Sequence, residues 1–208
     1  MTQEALFDME ALAREAVAAK PWHGAPLAYT EDYYSPDELA AAYERYIAEH
    51  GRLACLINSH MWTAVETAPG GMCFPPLVFG DHRMVMVHAY VRCEGATHDH
   101  QAAPLPAGVI SRYQAICEPC RWHAIGDDEN TAVEAWHDHA MPGWRDLPVK
   151  PSKPKQVDAW MEAYPVDWQQ TGCPVLTWRD NGAARHVPRR SPWGGYDLGV
   201  PATGKAHS

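Results

Sequence analysis

Hydrophobic positions along the chain recur first with a helical period. Between Glu4 and Ala19, residues Leu6, Met9, Leu12, Ala13 and Ala16 fall three and four positions apart, the stripe of an amphipathic helix, and Lys20-Pro21 closes it. A second helix is predicted from SPDELAAAYERYIAEHG. There Ser35 can cap, Pro36 has its φ preset for the first helical position, and Glu38 completes a capping box. Leu39, Ala42, Tyr43, Tyr46 and Ile47 supply the buried face, and Gly51 sits where a left-handed cap belongs. The following run, LACLINSHMW, is apolar without a clear period and fits either a strand or a buried helix.

The period then shortens to two. In RMVMVHAYVRC, Val85, Val87, Ala89 and Val91 share one face while Met84, Met86, His88 and Tyr90 share the other, as in a strand covered on both sides. GVISRYQAIC alternates as well, and RWHAI is its natural hairpin partner. Asp127, Asp128, Asn130 and Thr131 all offer an N-cap to a helix that ends before Met141-Pro142-Gly143. DLPVKPSKPK has the proline spacing of an extended linker, VDAWMEAYP fits a short helix on Val157, Trp160, Met161 and Tyr164, and Asn181-Gly182 marks a hairpin turn.

Composition narrows the class. At 208 residues, with 46% hydrophobic and 21% charged side chains, the chain should fold. No apolar run approaches the ~20 residues of a membrane span, and the N-terminus is acidic and amphipathic where a signal peptide would be basic and then apolar. A cytoplasmic location, away from membranes, is expected. The net charge of −9 argues against a general nucleic-acid coat. The charge is uneven, however, because Arg179, Arg185, Arg189 and Arg190 gather in the C-terminal hairpin and its tail, where they could meet phosphate or an acidic partner.

Six cysteines among twelve histidines in a reducing compartment favour metal binding over disulfides. Cys55, Cys73 and Cys173 lie singly in apolar surroundings and read as small buried hydrophobes. Cys117 and Cys120 differ: a C-x2-C pair on a tight turn between antiparallel strands presents both sulfurs to one tetrahedral ion, and Zn2+ prefers such ligands. The helix that follows carries His137 and His139. At ~100° per residue these two point about 200° apart, so an intact helix aims only one of them at an ion. His137 shares a face with Val133, Trp136 and Ala140. His139 lies with Ala132 and Ala135, whose small side chains would let the helix approach the knuckle, so His139 is favoured, with His137 as the fallback if the last turn unwinds before Pro142. Cys93 leads for the fourth ligand, ahead of His98, His100 and His123, and a second ion at Cys93, His98 and His100 is a further alternative.

These signals describe an α+β protein: a small antiparallel sheet with a zinc-ribbon-like hairpin and helix, flanked by N-terminal helices and a C-terminal hairpin. The expected divisions are a helical region at 1–52, a mixed sheet with the knuckle at 53–145, a Pro-rich linker at 146–156, and a short helix, hairpin and tail at 157–208. A site whose four positions are all filled by side chains is structural. No H-x-E or C-x-E accompanies the cysteine pair as a zinc deaminase requires, and H-E-x-x-H is missing, so no catalytic residue is assigned. HDHAMPGW superficially resembles the Asp-His-x-x-Pro start of an HNH-type nuclease, which keeps a metal-dependent hydrolase with His137, Asp138 or His98 at the water as the alternative.

The strings ENTAVEAWHDHAMPGWRDLPV, WHGAPLAYTEDYYSPDELA, INSHMW and RHVPRRSPWGGYDLG resemble an uncharacterised actinobacterial family found on chromosomes, plasmids and phage-like elements, over about Trp22 to Gly199. The resemblance implies a bacterial host and a mobile-element connection, and no activity. It also implies that the cysteine pair and Asp138-His139 recur, whereas the 94–104 loop departs from the pattern in carrying His98 and His100 in place of further cysteines. The reading that follows is a non-enzymatic, zinc-stabilised adaptor or nucleic-acid-associated protein. At the N-terminus, Gln3, Leu6 and Phe7 match a Q-x-x-L-F peptide similar to a bacterial sliding-clamp binding motif, so a clamp is a candidate partner.

Overall fold

The computed structural model describes residues 3–51, 61–64, 77–91, 111–151, 154–169, 172–178 and 184–186. They form four α-helices and seven strands among the described residues: α1 (Gln3–Ala18), α2 (Pro36–His50), β1 (Thr63–Ala64), β2 (Leu77–Phe79), β3 (His82–Tyr90), β4 (Ser111–Cys117), β5 (Trp122–Gly126), α3 (Glu129–Ala140), α4 (Val157–Ala163), β6 (Leu176–Trp178) and β7 (Ala184–His186). One sheet has the strand order β1-β3-β4-β5, with β2 also paired to β3, and β6 and β7 form a separate antiparallel pair. The architecture is α+β, as expected. By compactness the chain divides into two units, Met1–Val65 with Val87–Arg112, and Glu66–Met86 with Tyr113–Ser208.

In the first unit α2 forms as its sequence dictates. The Ser35 hydroxyl accepts from the Glu38 backbone N–H, the Glu38 carboxylate accepts from the Ser35 N–H, and Leu39, Ala42 and Tyr46 are buried. Gly51 closes the helix with φ 85° and ψ 156°, so the cap has the expected positive φ without the left-handed ψ. Arg45 donates to the carbonyls of Val17 and Lys20 at 2.6 and 2.8 Å, supplying the cation that the last turn of α1 lacks. α1 forms where the period predicts a helix, while Met9 and Leu12 on its apolar stripe are 65% and 58% exposed. Thr63 and Ala64 pair with His88 and Val87 on β3.

The second unit holds a continuous core in which Trp136, Trp144, Trp160, Tyr164, Met141 and Val133 are all buried. Two of these side chains find backbone partners, Trp160 donating to the Pro148 carbonyl at 2.7 Å and Tyr164 to that of Pro174 at 2.6 Å. Residues 146–156, whose prolines suggested a linker, belong to this unit where they are described. Leu147 is buried in the core, Val149 packs against it, and the Lys150 N–H donates to Leu176. On β4, Ala115 and Cys117 enter the core while Gln114 and Ile116, which alternate with them, are equally buried, so the strand is covered on both faces.

Candidate metal centre

Two hairpins and one helix set the site. The first hairpin is β2–β3, where Phe79 pairs with His82 across the two-residue loop Gly80-Asp81. Gly80 has φ +56° and Asp81 does not share the positive φ, which is the glycine-first arrangement that matches the twist of two strands. His82 therefore starts β3 at the tip of a hairpin. The second is β4–β5, where Cys117 pairs with Trp122 and the intervening Glu118-Pro119-Cys120-Arg121 forms the knuckle. Its turn is closed by the Arg121 N–H donating to the Glu118 carbonyl at 3.0 Å, with Arg121 held at φ +50°. Arg83 and Glu118 form an ion pair between the two hairpin tips at 3.5 Å.

The helix arrives through a close approach. Asp128 caps α3 by accepting from the Thr131 N–H at 2.8 Å. A Cβ on Gly126 would lie 2.8 Å from the Ala132 backbone nitrogen, so only glycine lets the end of β5 sit this near the first turn. Ala132 is buried on the same side, and α3 continues unbroken past His139, the Met141 N–H reaching the His137 carbonyl at 2.8 Å.

These elements bring His82, Cys117, Cys120 and His139 together, with one ligand atom from each lying within 4.8 Å of all the others, a group that can hold a metal ion. His82 Nδ1 is 3.4 Å from the Cys120 sulfur and 3.7 Å from that of Cys117. Around a tetrahedral zinc ion, with Zn–S about 2.3 Å and Zn–N about 2.05 Å, a sulfur and a nitrogen stand about 3.6 Å apart. The observed spacings straddle that value, so the donor set is compatible with zinc. His139 stacks flat on Trp122, with ring centroids 4.3 Å apart and planes 3° from parallel, and meets His82 edge-on at 4.8 Å. Its Nε2 is buried and meets no hydrogen-bonding group among the described residues. A buried nitrogen left without a partner is costly in protein alone and satisfied by an ion.

Protonation states agree with this role. Burial, then the charge of His82, holds the His139 imidazole below its ordinary value and keeps it neutral, as a ligand must be. Hydrogen bonding to Cys117, followed among other causes by the charges of Cys117 and Asp81, pushes the Cys120 thiol up. The neighbouring sulfur thus disfavours the Cys120 thiolate, and a bound cation reverses that preference.

The structure places the other candidates elsewhere. His137 is fully buried on the core face of α3, its Nε2–H donating to the Gly172 carbonyl at 2.8 Å, and burial lowers it to about 4. With the last turn intact, the fallback role drops away and His137 is a core residue. His123 is hydrogen-bonded to Gln114. Asp138, a candidate water-activating group, is held below the carboxylate range first by Arg145, which grips it through Nε and a terminal nitrogen at 2.9 and 2.8 Å, while Trp144 donates at 2.8 Å. Cys93, His98 and His100 lie outside the described residues, as do Arg179, Arg189 and Arg190. Arg185 falls in β7, and Gln3, Leu6 and Phe7 fall in the first turns of α1, with only their backbone described. Cys173 is buried, as its apolar surroundings suggested. The cluster residue the sequence reading missed is His82. Its signal was Gly80-Asp81 between LVF and HRMV, a two-residue hairpin loop that puts His82 at a sheet end.

No described helix is long and apolar enough to cross a membrane. A family model described as Family of unknown function (DUF6349) matches residues 24–208. No curated protein and no solved structure matches the chain.

Proposed function

Since the chain belongs to this family of unknown function (DUF6349), which brings no activity with it, we propose from the geometry that the protein is a non-enzymatic adaptor or nucleic-acid-associated module stiffened by one structural zinc ion. The observation that carries the reading is the donor set: His82, Cys117, Cys120 and His139 converge from two hairpins and a helix and offer four donors, as many as a tetrahedral ion takes. Zinc there ties the tips of β2–β3 and β4–β5 to the end of α3. The Asp138 carboxylate, which a nuclease reading would use, is already engaged by Arg145 and Trp144. Purified protein should carry one zinc per chain, with Cys117→Ser and His82→Ala each abolishing stoichiometric metal. Cobalt in its place should give the spectrum of a closed thiolate-containing tetrahedron, with no nuclease or phosphatase activity. An exchangeable water on the ion, or hydrolytic activity lost with the metal, would return the hydrolase reading.

The contact surface in this reading is the basic hairpin and tail bearing Arg179, Arg185, Arg189 and Arg190. If it meets phosphate, binding to DNA or RNA weakens steeply with salt, and reversing these charges flattens the dependence. The exposed Met9 and Leu12 of α1 favour a second contact, because an apolar stripe left unburied is open to a partner. The Q-x-x-L-F peptide at Gln3, Leu6 and Phe7 would dock on a sliding clamp. Titration of an N-terminal peptide onto purified clamp tests this, with binding lost in Leu6→Ala plus Phe7→Ala, and equal binding by the double variant counting against it.

A further inference from the structure

The two sulfurs of the cluster have opposite exposures. Cys117 is wholly buried at the end of β4, whereas Cys120, three residues on in the knuckle, is exposed to solvent. Both approach the same atom, His82 Nδ1, at 3.7 and 3.4 Å. A metal-held sulfur is deprotonated outright, so the exposed one is a thiolate that small oxidants can reach. Resting on the zinc reading above, we infer that Cys120 is a modification site for hydroperoxides, and that its reaction with Cys117 exchanges the metal clamp for a disulfide within the knuckle.

The chemistry balances with peroxide as the named oxidant. The Cys120 sulfur attacks one peroxide oxygen and the O–O bond breaks. The sulfur gains OH, and the other oxygen leaves as hydroxide and takes a proton to become water. The Cys117 thiolate then attacks the Cys120 sulfur, forming the S–S bond and expelling hydroxide, which takes the second proton. The two sulfurs give up two electrons, and one hydrogen peroxide becomes two waters. With both thiolates consumed, two neutral imidazoles are left to hold the ion, and it departs.

What changes is which parts of the chain are tied together. The ion joins the knuckle to His82 on β3 and to His139 on α3, while the disulfide joins the knuckle only to itself. Oxidation therefore removes the ion's tie from the β2–β3 tip and the end of α3, which keep the Arg83–Glu118 ion pair and the core packing of Ala140 and Met141, while the turn stays closed. Cys173, 1% exposed in the core, serves as an internal control that peroxide should leave reduced.

The test uses the zinc-loaded full chain, hydrogen peroxide, a chromogenic chelator that reports free zinc, and peptide mass mapping of the cysteines. The expected result is one zinc released for each Cys117–Cys120 disulfide formed, with dithiothreitol and added zinc restoring the metal. Cys120→His, which keeps four ligands and removes the thiol pair, should hold zinc at peroxide doses that empty the wild type. Zinc release with Cys117 and Cys120 still reduced, or retention of zinc at large peroxide excess, would overturn the inference while leaving the structural zinc site standing. A chain that binds no zinc before peroxide is added would overturn both.

Discussion

On the core face of α3, His137 is fully buried and its ring meets the Gly172 carbonyl at 2.8 Å. At the knuckle, two residues along the same helix, His139 brings a ring nitrogen within 4.8 Å of two sulfurs and a second histidine. Both regions bury an imidazole, and each must satisfy it. The core meets one ring nitrogen with a backbone acceptor and packs the ring among Trp136 and Trp144, so it depends on shape. The knuckle has only short hairpin tips to work with and collects donors, a group that can hold a metal ion. Residue type alone therefore does not assign a histidine; what lies across from it does.

Withdrawing the ion should separate the two regions most sharply. With free zinc about 1,000-fold above its Kd, linkage gives about 4 kcal/mol of stabilisation, which for a chain of this size is a Tm difference of about 8–16 °C. Calorimetry with and without chelator measures it, and an unchanged Tm would mean that the knuckle is held as the core is.

Substitution should then divide the two histidines. His137→Ala opens a cavity and strands the Gly172 carbonyl, costing about 3 to 4 kcal/mol, yet it should retain one zinc per chain. His139→Ala should lose the metal and, in chelator, fall within about 1 kcal/mol of the wild type because it leaves no core cavity. Urea unfolding and metal analysis of both variants check the pair, and the same outcome from both would erase the distinction.

Acid acts through the core member. Burial lowers His137 from 6.5 to about 4, so the unfolded chain takes up this proton first. The contribution is complete above pH 6.5 and is lost as pH falls toward 4. Over that interval the metal-free wild type should lose roughly 3 kcal/mol more than His137→Phe does, measured by urea unfolding in chelator. Parallel pH profiles for the two proteins would contradict the assignment. The smallest effect belongs to the knuckle turn, where Arg121 sits at φ +50°. Arg121→Gly should relieve that conformation and stabilise the zinc-loaded protein by about 0.5 kcal/mol.

Local chemistry wrote much of this plainly. The capping box at Ser35 and Glu38, the knuckle hairpin and the Asp128 cap are short-range features that a sequence displays directly. That His139 and not His137 reaches the cluster was also legible, since the helical period puts His139 with the small Ala132 and Ala135 and His137 with the bulky core side chains. His82 was not, because its place in the cluster depends on which strands become neighbours, and a three-residue β2 is too short to show a period. The α1 stripe was legible as a helix but not in what it meets. Periodicity reports that a face could be buried, and the exposure of Met9 and Leu12 shows that the described partners of α1 do not bury it.

X-ray absorption at the zinc edge of the purified protein tests the proposed four-residue zinc site most directly. Two sulfurs at about 2.3 Å and two imidazole nitrogens at about 2.0 Å are predicted, with one nitrogen lost in His82→Ala. A shell dominated by oxygen, a third sulfur, or spectra unchanged by His82→Ala would contradict the four-residue clamp.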